Sequence, residues 1–350
     1  MLKRQFNACL LRPTDIGPSH SSLEVVGTFN PGAVETPRGI ALLVRVAEQP
    51  RERRSGFVGL PRWDLSAGIV IDWLPEDAVE PIDPRVVLLK AEGRIRLTFI
   101  SHLRVFWSSN GRTIDREGAH FLPAAPTEEF GVEDPRVTPI DGRYYFTYVA
   151  VSRHGCATAL ASTADFEDFE RHGIVFCPEN KDVVVFPERF DGKYAALHRP
   201  SGAAAFTPPE MWLAWSGDLL HWGRHSFFHS GASTWETGRI GAGAPPVALA
   251  EGWLEVYHGN IRPTRIGEVG AYCAGAVLLD KQDPGRMLGR TREPLMVPEA
   301  DFEKAGFVGD VVFPTGIVDT GDTLLVYYGA ADTNVGVVEW SKREMLEALG

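Results

Sequence analysis

The chain has 350 residues, of which 44% are apolar and 23% charged, and its formal net charge is -11. That is enough chain for a substantial core, with ordinary globular composition and a surface charge that opposes general binding to nucleic acid or anionic membranes. Four cysteines with no C-x-x-C pair leave zinc-ribbon and thioredoxin-like motifs unsupported, and no run approaches the ~18 apolar residues of a membrane span.

The N-terminal residues 1–11 carry early positive charge, but their apolar stretch is too short and interrupted for a signal peptide. Cys9, Cys156, Cys177 and Cys273 are scattered, as expected of reduced thiols, so the sequence reads as cytoplasmic. Short β-branched and aromatic runs then follow at 40–46, 94–100, 144–151, 193–197, 253–257 and 323–328. Alternation and composition make them strands. Tight-turn signals precede several of them: Asp141-Gly142, Asp191-Gly192, Glu251-Gly252 and the 320–322 turn. The Arg- and Gly-rich stretch 49–60 reads as an exposed loop. One helix is expected, over 341–349, where Met345, Leu346 and Leu349 share a face.

Five segments repeat a pattern of turn, aromatic strand and polar or glycine end, starting at Leu97, Tyr145, Tyr194, Leu254 and Leu325. The first intervals match the length of a four-stranded propeller blade, and the later ones allow insertions. No linker composition interrupts the chain. The expectation is an all-β fold: a single five-bladed β-propeller domain over residues 1–350 with a short C-terminal helix. A β-sandwich or two β domains is the alternative.

Four segments carry chemistry. In Gly131-Val-Glu-Asp-Pro-Arg136, the Arg136 charge keeps one carboxylate ionised, while crowding of Glu133 and Asp134 raises the other's pKa. That arrangement is one way to keep an acid protonated near neutrality, although a structural turn with an Asp–Arg pair also fits. The segment 180–189, followed by His198-Arg199-Pro200, places Lys181, His198 and Arg199 at neighbouring strand ends. Cations so placed suit an anion, and arginine grips phosphate bidentately. Residues 235–246 are Gly-rich, which permits close backbone approach to a ligand, and Arg239 and His258 add donors. The stretch is neither a Walker loop nor a dinucleotide fingerprint. Finally, Tyr327-Tyr328 leading to Asp332 reads as an aromatic sugar platform with a hydroxyl acceptor, and Asn30 and Arg45 are candidate hydroxyl ligands near the N-terminus.

Taken in order, these segments resemble glycoside hydrolase family 130, the mannoside phosphorylases and related mannosidases. The shared motifs are F-N-P-G, L-L-V-R-V, G-V-E-D-P-R-V-T, K-D-V-V-V-F-P-E, G-K-Y-A-A-L-H-R-P, G-A-G-A-P-P, G-W-L-E-V-Y-H-G, V-F-P-T-G and Y-Y-G-A-A-D-T, spanning about Phe29 to Asp332. The resemblance implies a five-bladed propeller. It makes Asp134 the proton donor to the glycosidic oxygen, relayed through a mannose hydroxyl. Inorganic phosphate attacks the anomeric carbon from the opposite face, giving α-mannose 1-phosphate with inversion. Phosphate is itself a competent nucleophile, so no second carboxylate is needed as base. The resemblance assigns Lys181, Arg199, Arg239 and His258 to the phosphate pocket, with Lys181 in place of an arginine and Arg239 in place of a lysine. Asn30, Arg45, Glu133, Arg136, His198 and Asp332 are the expected sugar-site residues. No metal or organic cofactor is expected, only phosphate as co-substrate; the partners are a mannosyl sugar and phosphate, with neither nucleic acid nor membrane. A β-mannosidase using Asp182 or Glu188 to activate water is the competing enzyme reading, and a non-catalytic sugar-binding propeller is the competing non-enzyme reading. The sequence sets neither linkage, chain length nor acceptor, and leaves a homo-oligomer open.

Overall fold

Two-residue turns drive the architecture. Asp141-Gly142 and Asp191-Gly192 both have positive φ at both positions, which matches the right-handed twist of the strands they join. In the computed structural model, described for all residues except 202–205, 264 and 266–268, such hairpins build an all-β chain with two short helices.

Five antiparallel sheets dominate. Sheet I holds Leu23–Thr36, Gly39–Pro50, Ile100–Ser108 and Arg116–Phe121. Sheet II holds Val132–Ile140, Arg143–Ser152, Gly155–Thr163 and Glu170–Phe176. Sheet III holds Asn180–Phe190, Lys193–Pro200, Met211–Ser216 and Trp222–His229. Sheet IV holds Ile240–Ala242, Trp253–Asn260, Tyr272–Leu279 and Met287–Arg290, with Val247–Ala248 paired to its second strand. Sheet V holds Val312–Asp319, Thr323–Ala330 and Asn334–Ser341, and its outer strand is the N-terminal Phe6–Leu11.

The first strands of successive sheets touch. Leu23–Thr36 packs against both Val132–Ile140 and Val312–Asp319; Asn180–Phe190 packs against Val132–Ile140 and Ile240–Ala242. Trp253–Asn260 of sheet IV also reaches Val312–Asp319. Apolar cores fill the spaces between neighbouring sheets. Between sheets III and IV, Phe186 meets Trp253 edge-on at 5.7 Å. Burying side chains of this size contributes about 1.5–3 kcal/mol each.

A polar clamp recurs in three sheets. A buried glutamate ahead of the first strand takes a tyrosine hydroxyl from the second strand and an arginine from the region of the outer strand. The sets are Glu128 with Tyr148 and Arg171, Glu236 with Tyr257 and Arg290, and Glu303 with Tyr328 and Arg4. In sheet V this clamp ties the N-terminal segment to the C-terminal part of the chain. Glu303→Ala would leave Arg4 only Glu299 and Val297 O, and Tyr328 only Asn7, and should cost about 1–3 kcal/mol. An unchanged urea midpoint would show that the clamp contributes nothing.

The repeat seen in the sequence corresponds to second strands, with one exception. Tyr145, Tyr194, Leu254 and Leu325 all lie in the second strands of sheets II to V. Leu97 does not, because two small sheets, built from Phe57–Asp64 and Gly68–Pro75 and from Val79–Asp83, Val86–Leu89 and Arg94–Leu97, are inserted between the second and third strands of sheet I. The expected loop over 49–60 is therefore partly strand: Gly39–Pro50 and Phe57–Asp64 flank a short connection. The expected C-terminal helix is present as Lys342–Ala348, capped by the Ser341 hydroxyl and anchored by Met345. Among the described residues, no helix is long and apolar enough to cross a membrane.

Candidate active site

One local device recurs at the innermost strands. Asn30, Asp134 and Asp182 have φ of 50°, 50° and 55°, and each sits at a register irregularity in the first strand of sheets I, II and III. A bulge twists the strand and re-aims a side chain, and Asn and Asp accept the left-handed conformation more readily than other non-glycine residues. Three successive sheets thus present a polar group at a bulge of the first strand.

These groups converge at a cavity of about 310 Å³. Asn30, Arg45, Glu133, Asp134, Lys181, Arg199, Arg239 and Asp332 line it, drawn from all five sheets or the segments beside them. Asp134 is buried. Its Oδ1 accepts from Asn30 Nδ2 at 2.8 Å and Arg45 NH1 at 2.9 Å. Among the described residues its Oδ2 has no hydrogen-bond partner, which leaves that oxygen to the cavity. Arg45 also donates to Glu133 at 2.7 Å and to Ser101 at 3.0 Å, with its guanidinium 4.5 Å from the Phe29 ring centre. Lys181 pairs in register with Arg199, and its Nζ lies 3.8 Å from Glu133.

Burial pushes the Asp134 carboxyl upward, but Arg45, Arg136 and Lys181 and the Asn30 amide outweigh it and hold the pKa below the usual range. Among the carboxyls lining the cavity, the one that is raised is Asp332, to about 6. Burial is the main cause, with the nearby Asp134 and Glu133 charges adding to it and Arg85 and Arg45 opposing. From the sequence, the raised acid is expected within the Glu133–Asp134 pair; Arg45, far along the chain, pairs with both carboxylates and helps hold Asp134 down.

Three expected site residues stand behind the cavity rather than in its wall. Arg136 is buried, donating to Asp134 O at 2.7 Å, Gly243 O at 3.2 Å and Asp182 Oδ1 at 3.2 Å. His258 is fully buried, with Nε2 3.2 Å from Arg199 NH1 and 3.3 Å from Asp182 Oδ2. Burial, against the opposing pull of Asp182, lowers its pKa to about 4, so it is neutral near pH 7. His198 is adjacent to Arg199 in one strand, and alternate side chains face opposite ways. It bonds Asn180 and His225 and stacks on Phe176, away from the cavity.

Two further expectations are corrected. Tyr327 and Tyr328 are fully buried, bonded to Gly111 O and Glu303, so they are core rather than a sugar platform. Phe29, Phe99, Tyr272, Phe307 and Phe313 supply the cavity's aromatic surface instead. The glycines of the 235–246 stretch serve packing within the protein. A Cβ at Gly241 would stand 2.5 Å from Asp182 Oδ2, and one at Gly243 would collide with Val256 O at 2.2 Å.

Sequence reasoning missed Arg85 and Asp83, which reach the cavity from the inserted three-stranded sheet and pair with each other at 2.9 Å. The signal was present: Asp83-Pro84-Arg85 repeats the Asp-Pro-Arg of 134–136. Of the two suggested water-activating bases, Glu188 is exposed elsewhere on its strand, and Asp182 is consumed by ion pairs. Among the described residues no group of His, Cys, Asp or Glu could hold a metal ion.

A buried carboxylate facing a set of cations suits a polar ligand taken up together with an anion. Comparison with known proteins narrows the class. Residues 82–350 match the glycoside hydrolase family 130 model, described as β-1,4-mannooligosaccharide phosphorylase. The β-1,2-mannobiose phosphorylase of Listeria innocua is 40% identical, over 97% of this chain and 96% of that one. A 1,2-β-oligomannan phosphorylase from a Thermoanaerobacter species is 36% identical over 65% of this chain and 76% of its own. The solved structure of the Listeria innocua enzyme in complex with β-1,2-mannobiose superposes with a TM-score of 0.90 at 39% identity, covering 97% of this chain and 96% of that chain. The chain belongs to glycoside hydrolase family 130.

Proposed function

We propose that this protein cleaves β-1,2-linked mannobiose by inverting phosphorolysis, releasing α-mannose 1-phosphate and mannose. It is a mannoside phosphorylase, and the linkage follows from its likeness to the Listeria innocua enzyme over nearly the whole of both chains. Asp134 is the proton donor. Lys181, Arg199 and Arg239 hold phosphate, supported from behind by His258. Asn30, Arg45, Glu133 and Asp332 hold the mannosyl unit. The five sheets are the blades of one propeller domain spanning the chain, a reading supported by the contacts between their first strands and by the N-terminal strand completing sheet V.

In the reaction a phosphate oxygen bonds to the anomeric carbon as the glycosidic C–O bond breaks. The proton on Asp134 passes, through a mannose hydroxyl, to the departing oxygen. The carboxylate left behind is the form that Arg45 and Asn30 stabilise. Fixed cations that already point at the phosphate site stabilise charge without reorganising.

One observation carries this reading over hydrolysis. The carboxylate nearest the cations, Asp182, accepts from Arg136, forms an ion pair with Arg199 and is held far below the usual carboxylate range. Burial alone would raise it; the Arg199 and Arg136 charges and the contact with His258 outweigh burial. Such a group is a poor base for water. The four cysteines are free, which fits a reducing cytoplasm.

The test is incubation with β-1,2-mannobiose with and without inorganic phosphate. Mannose 1-phosphate should form only with phosphate; free mannose released equally in both would sink the reading. Arg199→Ala should raise the phosphate KM ~10-fold or more, because a charge-assisted bidentate contact is lost. An unchanged phosphate KM would remove Arg199 from the pocket.

A further inference from the structure

Asp182 lines the cavity beside Arg199, yet it serves neither as the acid nor as a phosphate ligand in the reaction. It is buried at 2% exposure, in a left-handed conformation at the bulge of sheet III. Oδ2 forms an ion pair with Arg199 NH1 at 2.6 Å and lies 3.3 Å from His258 Nε2; Oδ1 accepts from Arg136 NH2 at 3.2 Å. Arg136 in turn holds the main-chain oxygen of Asp134 at 2.7 Å. One carboxylate therefore joins the first strand of sheet II to the second strands of sheets III and IV.

What this leaves open on Arg199 matters most. NH1 is occupied by Asp182 and His258. Nε is buried with no partner, and among the described residues NH2 has none either. Nε and NH2 are the two parallel donors of the side-on guanidinium fork, the pair that grips a phosphate bidentately. Arg199 itself lines the cavity. The unpartnered side of a buried guanidinium is thus its anion-binding side, and the opposite side is pinned.

We propose that Asp182 is a positioning residue that pins Arg199 and His258 so that the free fork of Arg199 faces the incoming phosphate. The proposal rests on the phosphorolysis reading. Gly241 belongs to the same device, since only a residue without a Cβ leaves room for the Asp182–His258 contact. Asp182 also offsets the charge of Arg136 and Arg199 in the empty pocket, where unpaired buried cations are costly.

Two variants test this. Asp182→Asn removes the charge while tolerating positive φ. Gly241→Ala keeps the charge but pushes Oδ2 from its place. Each should raise the Kd for inorganic phosphate, measured by calorimetry without sugar, ~10-fold. Each should raise the phosphate KM in parallel and leave the mannobiose KM within about twofold. An unchanged phosphate Kd in both variants overturns the proposal. So does an equal rise in the KM of both co-substrates, which marks general distortion. Failure of both variants to fold while Arg199→Ala folds also overturns it, because Asp182 would then serve the fold alone. A wild-type protein that forms no mannose 1-phosphate is a separate outcome: it removes the phosphorolysis reading, and the inference falls with it.

Discussion

Asp134→Asn is expected to lower kcat by about 10²–10⁴, the usual contribution of a positioned general acid. The substitution suits the site. Asparagine is nearly isosteric and accepts the φ of 50° that the bulge imposes on Asp134. Its side-chain oxygen can still accept from Asn30 and Arg45, so the phosphate KM should change little. Residual activity above about a tenth of wild type would refute the assignment.

The electrostatics add a pH signature. In the free protein Asp134 is held below the usual carboxylate range. A general acid must be protonated, so kcat/KM for mannobiose should decline as pH rises from an acidic optimum. Bound phosphate offsets the charge of Lys181 and Arg199, which removes part of the field depressing Asp134. The kcat at saturating phosphate should therefore persist to higher pH than kcat/KM. Coincident profiles would count against coupling between the two halves of the site. The same depression has a stability consequence. Ionised Asp134 stabilises the fold above its unfolded pKa of about 4, and this contribution is lost as pH falls through the lower folded value. The stability gap between wild type and Asp134→Asn should therefore narrow in acid.

Asp332→Asn is expected to separate stability from activity. Its carboxyl is pushed up to about 6, chiefly by burial. A group whose folded pKa lies above its unfolded value favours the fold most below the unfolded pKa. That advantage is lost as pH rises through about 6, so near pH 7.5 the ionised carboxylate destabilises the protein. A two-unit shift corresponds to about 3 kcal/mol, and partial solvent access to this side chain reduces the figure to about 1–3 kcal/mol. Asp332→Asn should thus be more stable than wild type at pH 7.5 by roughly that amount. The gain should vanish near pH 4, while activity falls, as the role proposed for Asp332 in holding a mannosyl hydroxyl requires. Equal melting temperatures at both pH values would show that Asp332 does not titrate as described. A stabilised, inactive variant is the pattern of a residue retained for function at a cost to stability.

Local chemistry made much of this protein legible. Alternating strands, Asp-Gly turns and the amphipathic 341–349 stretch act over a few residues, so the all-β class and the C-terminal helix could be read directly. The residues that line the cavity were largely legible too, because ordered motifs mark them along the chain. What could not be read were relations between distant segments. The insertion over 57–97 displaced the first repeat and carried Arg85 into the cavity. Strand alternation turned His198 away from the side that Arg199 faces. Burial moved Tyr327 and Tyr328 into the core. The sign of each carboxyl's pKa shift depends on the inverse distance to every charge and on lost solvation, and neither exists until the sheets assemble. So sequence alone determined which polar groups this protein carries and in what order. Only the tertiary structure decided that Asp134 rests ionised against Arg45, that Asp332 holds the raised pKa within the cavity, and that Asp182 bridges Arg136 and Arg199.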